Sequence, residues 1–293
     1  MSPNIPYSAK RDDLYFPGRA ADFFASGVLK SEAALCGELA RLAYCRQEPG
    51  FVFDQDRIHE FLRRAGFGNC WFFESQGKPG GEGTHCFLAV RKDAAQRESL
   101  AVVSFRGTDK DDPTDLGTDA DVILAPWEKG GQVHQGFKNA LGEVRHGVEK
   151  ALQGIACRVV FAGHSLGAAL ATLLASARKP DALYLFGSPR VGDEDFVATV
   201  EGVESCRYVD CRDLVTRVPP KILGYAHLGE PYYIDRNRQV TFNPSPAFME
   251  QDGLLAEAEY LAKYAWRDGN VGLRDLADHA PINYVMPLAA NPS

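Results

Sequence analysis

Val159-Val160-Phe161-Ala162-Gly163-His164-Ser165-Leu166-Gly167-Ala168-Ala169-Leu170 starts as a short apolar run led by β-branched residues, breaks at a serine, and resumes as small and apolar residues. Glycines stand two positions to either side of that serine. The pattern predicts a strand, a turn too tight for side chains on its flanks, and a helix, with the serine strained and its hydroxyl exposed. This is a nucleophile elbow, and Ser165 is its nucleophile. The spacing alone recurs by chance; the context strengthens it, because Leu166 to Ala177 is almost entirely apolar and must be buried.

Around the elbow, strand and helix patterns alternate. Phe137, Leu141, Val144, Val148 and Leu152 recur at helical spacing just before it, and Leu35, Leu39 and Leu42 do so in a helix from Glu32 to Tyr44. Trp71 to Glu74 and Thr84 to Val90 read as strands about the turn Lys78-Pro79-Gly80-Gly81-Glu82-Gly83, and Leu100 to Phe105 continues the sheet. Leu183 to Phe186 and Cys206 to Val209 add buried strands, and Tyr232 to Ile234 with Gln239 to Phe242 form a late hairpin. The expected fold is α/β, a mixed and mostly parallel sheet flanked by helices, in one domain over residues 1–293 behind an irregular lead-in of about 30 residues. A helix-like stretch from Met249 to Trp266 is expected to pack.

The chain has 293 residues, 45% hydrophobic and 24% charged, enough for a large core. A net charge of -7 without any basic run argues against nucleic acid or an anionic membrane as the main partner. Lys10, Arg11, Asp12, Asp13 and Arg19 interrupt the first segment, and no apolar run approaches the ~18 residues of a spanning helix. Neither a signal peptide nor a transmembrane span is expected, and the expected location is cytoplasmic. Seven cysteines, an odd number without regular spacing, suit a reduced compartment. Cys206 and Cys211 near Asp213 lack the paired spacing of a metal site, and the glycines match no nucleotide loop, so neither metal nor cofactor is expected.

A serine hydroxyl needs a base, and the base needs a carboxylate to orient it. In elbow enzymes both follow the serine, which leaves His227 and His279 as bases and Asp210 and Asp213 as acids. His279 is expected on a loop beyond the last strand, free to reach over the strand ends. Asp213 would project from the carboxyl end of a strand, where α/β sites assemble. The tetrahedral intermediate needs an anion hole: the Leu166 N–H supplies one donor, and Thr108, in Phe105-Arg106-Gly107-Thr108-Asp109, is the second candidate unless that segment is a plain glycine turn.

Taken in order across about residues 84 to 285, the motifs resemble those of class 3 lipases, the filamentous-fungal lipase family of α/β-hydrolases. Arg106-Gly107-Thr108 resembles the oxyanion segment, Val133-His134-Gln135-Gly136-Phe137 the HxGF segment, and Gly163 to Gly167 the GHSLG elbow. Phe186-Gly187-Ser188-Pro189-Arg190-Val191-Gly192-Asp193 is similar to the strand and loop that follow. Asp213-Leu214-Val215-Thr216-Arg217-Val218-Pro219-Pro220 resembles the stretch that opens on the triad acid, and Asp278-His279 the pair carrying the base. The resemblance implies Ser165, His279 and Asp213 as the triad, Thr108 and Leu166 as the oxyanion hole, and His227 as structural. It implies an ester hydrolase without cofactor that acts on lipid or small-molecule esters, with transient contact to a lipid surface. Phospholipase A1 or feruloyl-type activity, and a non-catalytic binding module, are its alternatives.

The lid that the resemblance places at about residues 109–126 departs from the family. Residues 109–121 are acidic, with glycine and proline, and Leu116 is their one sizeable apolar residue. Val122, Ile123, Leu124 and Trp127 are expected to pack rather than to face lipid. Short to medium acyl chains are the expected substrates.

Overall fold

The computed structural model describes residues 6–17, 23–24, 29–47, 52–75, 83–108 and 123–290. Its centre is an eight-stranded sheet of β1 (Phe67–Glu74), β2 (His85–Lys92), β3 (Glu98–Phe105), β4 (Arg158–His164), β5 (Ala182–Phe186), β6 (Glu204–Asp210), β7 (Pro231–Ile234) and β8 (Val240–Phe242). These strands lie side by side in chain order. β3 to β7 are parallel, while β1, β2 and β8 add antiparallel edges, which is the expected mixed, mostly parallel sheet.

Alternation along the strands divides the core into two layers. Phe87, Ala89, Leu100, Val102, Val160 and Ala162 face α1 (Glu32–Leu42) and α2 (Gln55–Arg64). Their neighbours Leu88, Val90, Ala101, Val103, Phe105 and Phe161 face α3 (Gln135–Leu152) and α4 (Leu166–Ala177). α2 and α3 bury one apolar face, while α1 and α4 are buried almost all round, so the sheet is covered on both sides, as parallel strands require. α2 was not anticipated, although Asp54 caps it and Ile58, Phe61 and Leu62 supply its buried stripe.

After β8 come α5 (Pro246–Lys263), α6 (Arg274–His279) and α7 (Pro281–Ala290). The expected packing of the Met249 to Trp266 stretch holds for one face only. Asp252, Gly253, Ala256 and Tyr260 of α5 are buried, whereas Phe248, Leu254, Leu255, Leu261 and the following Trp266 are exposed. Among the described residues no helix is long and apolar enough to cross a membrane.

The lead-in is less irregular than expected where it is described. Arg11–Leu14 forms a helical turn, and the strand-like residues before it dock on the far end of the chain: Val271 donates to the Ala9 carbonyl at 2.9 Å, and Ser8 exchanges backbone bonds with the Asn283 amide at 3.0 and 2.8 Å. The turn at residues 78–82 and the lid residues 109–122, including Leu116 and Val122, lie outside the described residues. Of the apolar residues that follow, Trp127 is buried and donates its indole N–H to Ser176 Oγ at 2.9 Å, but Ile123 is half exposed, against expectation.

Candidate active site

The parallel strands point one way, and their carboxyl ends collect the groups singled out in the sequence. Ser165 follows β4 with φ 58° and ψ −127°, a positive-φ conformation rare for any residue other than glycine. Its amide donates to the Phe186 carbonyl at the end of β5, at 2.9 Å. The flanking glycines are sterically required. A Cβ on Gly163 would overlap the Gly167 backbone, and one on Gly167 would overlap the Phe105 carbonyl. One on Gly107 would sit 2.9 Å from Ser165 Cβ and 2.7 Å from the His164 carbonyl. At Gly163 and Gly167 no side-chain change can relieve these contacts, since the atoms met are backbone, whereas at Gly107 the Tyr44 hydroxyl is met as well.

His279 closes the arrangement from α6, as its last residue rather than from a loop. Proline at 281 starts a second helix at once, so the chain turns sharply beside the imidazole. His279 Nε2 is 2.9 Å from Ser165 Oγ, and Nδ1 is 2.9 Å from both carboxylate oxygens of Asp213. A carboxylate can only accept, so Nδ1 carries the proton of a neutral imidazole and Nε2 presents its lone pair to the serine hydroxyl. All three side chains are buried.

Asp213 is held by more than the histidine. Its Oδ1 accepts the Val215 N–H at 2.9 Å, and its Oδ2 accepts the Tyr284 hydroxyl at 2.5 Å. Gly187, at φ +58°, leaves room for this: a Cβ there would lie 2.7 Å from Asp213 Oδ2 and 3.2 Å from His279 Nδ1. Neither Tyr284 nor Gly187 was singled out. Gly187 does lie within the quoted stretch Phe186 to Asp193, where a glycine ending a buried strand is a readable signal; Tyr284 offers none, 71 residues from its partner.

His164 was assigned only to the elbow, and it also fixes the base. Its Nε2 lies 2.5 Å from the His279 carbonyl and its Nδ1 2.8 Å from the Tyr44 hydroxyl. The carbonyl must accept, so His164 donates from Nε2 and accepts the tyrosine proton at Nδ1, as a neutral ring. Burial first, and the neighbouring His279 after it, push its pKa down to about 3.

The alternatives fall elsewhere. His227 Nε2 bonds the Thr216 carbonyl at 2.7 Å, and burial with Arg207 and Arg190 nearby holds it well below the usual imidazole range, in a structural position. Asp210 is neither solvated nor near the imidazole by any hydrogen bond: it is buried and paired with Arg238 at 2.6 Å. Leu166 opens α4 directly after Ser165, and a first-turn N–H has no partner in its own helix. Thr108 follows Gly107, where an added Cβ would lie 2.9 Å from Ser165 Cβ, and is partly exposed.

Among the described residues one group, Asp210, Cys211 and Asp278, has the spacing of metal ligands. Both carboxylates are already neutralised, Asp210 by Arg238 and Asp278 by Arg274 at 3.0 Å. All seven cysteines are free thiols.

Residues 102–223 match the family model described as lipase (class 3). Among similar proteins, a secreted mono- and diacylglycerol lipase of Fusarium solani is 28% identical over 218 residues, 62% of this chain and 64% of that protein. A Rhizomucor miehei lipase is 35% identical over 41% of this chain and 37% of its own, and Arabidopsis thaliana phospholipase A1-IIgamma 36% identical over 36% and 27%. The chain thus spans less than two thirds of the length of these relatives. Among solved structures, lipase II of Rhizopus niveus aligns with a TM-score of 0.57 at 25% identity, over 75% of this chain and 86% of that one. A triacylglycerol lipase described as having a serine protease triad aligns at 0.53 and 26%, over 69% and 79%.

Proposed function

We propose that this chain, whose residues 102–223 match the class 3 lipase model and whose fold is that of the α/β-hydrolases, is a serine hydrolase of carboxylic esters acting on acylglycerols of short to medium chain. The observation that carries this reading is the unbroken chain from Ser165 Oγ through His279 to Asp213, each step 2.9 Å, on a serine held at positive φ. Ser165 Oγ attacks the ester carbonyl while His279 Nε2 takes its proton. Asp213 keeps the other imidazole nitrogen protonated and stabilises the cation that forms. The Leu166 N–H and Thr108 receive the developing oxyanion. His279 then returns the proton to the departing alcohol, and water cleaves the acyl-enzyme by the same path in reverse.

The acidic, weakly apolar stretch at 109–121 supports the preference for short chains, because it offers little surface to a long acyl group or to oil. Phospholipid is the second substrate class to test, favoured by the similarity to a phospholipase A1. A panel of esters varying in chain length and headgroup, run beside Ser165→Ala and with fluorophosphonate labelling, tests the reading. Turnover of tributyrin with loss of both turnover and labelling in Ser165→Ala is expected; retained activity in that variant would overturn it. A sharp rise in rate at the solubility limit of tributyrin would refute weak interfacial dependence.

A further inference from the structure

Behind the triad lies a buried cluster of charges that the mechanism above does not use, and an aromatic side chain from the start of the described chain sits in its middle. The ring of Tyr7 has the guanidinium of Arg238 on it at 5.3 Å and that of Arg274 at 5.3 Å. Those two arginines neutralise Asp210 and Asp278, at 2.6 and 3.0 Å. The Tyr7 hydroxyl donates to Asp278 Oδ1 at 2.7 Å. Oδ2 of the same carboxylate accepts from Arg274, from the Arg212 amide at 3.1 Å and from the Cys211 thiol at 3.3 Å. Tyr7 therefore donates to the one oxygen of Asp278 that these three groups leave open.

Asp278 is the residue before His279, and both belong to α6, a helix of six residues. So short a helix has little stiffness of its own, and its register is set by what grips its side chains. The grip comes from outside: Arg274 reaches back to the Ala256 carbonyl of α5 at 3.0 Å, and Asn283 ties Ser8 to the Ala277 carbonyl at 2.7 Å. A displacement of the reacting groups by ~1 Å is enough to cost about a hundredfold in rate.

Resting on the ester-hydrolase reading, we infer that Tyr7 is a positioning residue for the candidate base: through Asp278 it fixes the turn of α6 that presents His279 to Ser165. Burial and the adjacent Asp278 carboxylate hold the phenol well above its usual range, so the hydroxyl stays a donor throughout the working pH. Tyr7→Phe keeps the ring between its guanidiniums and removes this one bond.

The test compares wild type, Tyr7→Phe and the control Tyr264→Phe, which alters the same aromatic cluster, with ring centroids 5.4 Å apart, without a hydroxyl directed at Asp278. Three readouts are taken: kcat and KM on a soluble ester, the rate of fluorophosphonate labelling, and the downfield proton resonance of His279 Nδ1–H. Tyr7→Phe should lower kcat and the labelling rate about tenfold with KM unchanged, and move the Nδ1–H resonance, while Tyr264→Phe leaves all three alone. Equal labelling rates and an unmoved resonance in Tyr7→Phe, or equal losses in both variants, would overturn the proposal. Wild type that neither labels nor hydrolyses would instead refute the hydrolase reading, and the resonance, which needs no turnover, still decides the role of Tyr7. If Tyr7→Phe does not fold, Asn283→Ser frees the same strap from the other side and should give the same kcat loss and resonance shift; no change in either would count against the proposal.

Discussion

Tyr284 donates its hydroxyl to Asp213 Oδ2 at 2.5 Å while its oxygen accepts the Asp210 amide N–H at 3.1 Å. The phenol is thereby fixed from both sides, and the carboxylate that orients His279 is held by a helix beyond the histidine. Buried against Asp213 and Asp210, the phenol is pushed well above its usual range and stays protonated.

Tyr284→Phe removes one charge-assisted hydrogen bond, worth ~1.5–3 kcal/mol. If that support is felt in the transition state, kcat falls about tenfold or more while KM holds. Steady-state kinetics on a soluble ester measures both, and an unchanged kcat would show that Val215 and His279 suffice to hold Asp213.

Gly187→Ala puts a carbon 2.7 Å from Asp213 Oδ2, at a position already in the left-handed region. The carboxylate and imidazole must part, so activity should fall by at least two orders of magnitude, with a stability cost of ~1–3 kcal/mol from the backbone. Activity assays alongside denaturant titration separate the two effects.

Acid should unfold this protein early. An imidazole in the unfolded chain protonates below 6.5, but His164 stays neutral in the fold down to about 3. Between those values the unfolded state binds more protons, so stability declines as pH falls through that window. His227, also lowered, acts in the same direction. Denaturant midpoints at pH 7 and 4.5 test this, together with His164 ring resonances that should not titrate between them; a level stability curve would contradict it.

Arg238→Met strands Asp210 in the core, a loss of ~3–5 kcal/mol for a buried pair with one partner removed. The loss should shrink toward low pH, because burial already raises the Asp210 carboxyl and an unpaired one takes up a proton more readily still. Combining Arg238→Met with Asp210→Asn should recover part of the stability. Thermal unfolding of wild type and the two variants at pH 7 and pH 5 checks the order.

The elbow and the strands are legible because each is written locally, in the apolar runs of β3 and β4 and in the glycines about Ser165. The residues brought to hydrogen-bonding distance as serine, imidazole and carboxylate are those the motifs single out. What could not be read depends on distant pairing. His279, expected on a loop beyond the last strand, instead ends α6, and Pro281 two residues on opens α7. Tyr7 meets Asp278 across 271 positions, and no periodicity records such a contact. The α5 stripe misleads in the other direction: Leu254, Leu255 and Leu261 have the composition of a core face and stand in solvent.

The floor beneath Ser165 is made of backbone, and Gly107, Gly163 and Gly167 exist to let strands and turn close on one another there. Every one-base change in a glycine codon that alters the amino acid adds a Cβ. Each of these three positions is therefore a single nucleotide from losing the elbow, and at Gly163 and Gly167 no second substitution nearby can compensate, because what the new carbon strikes there is backbone, with no side chain to trim.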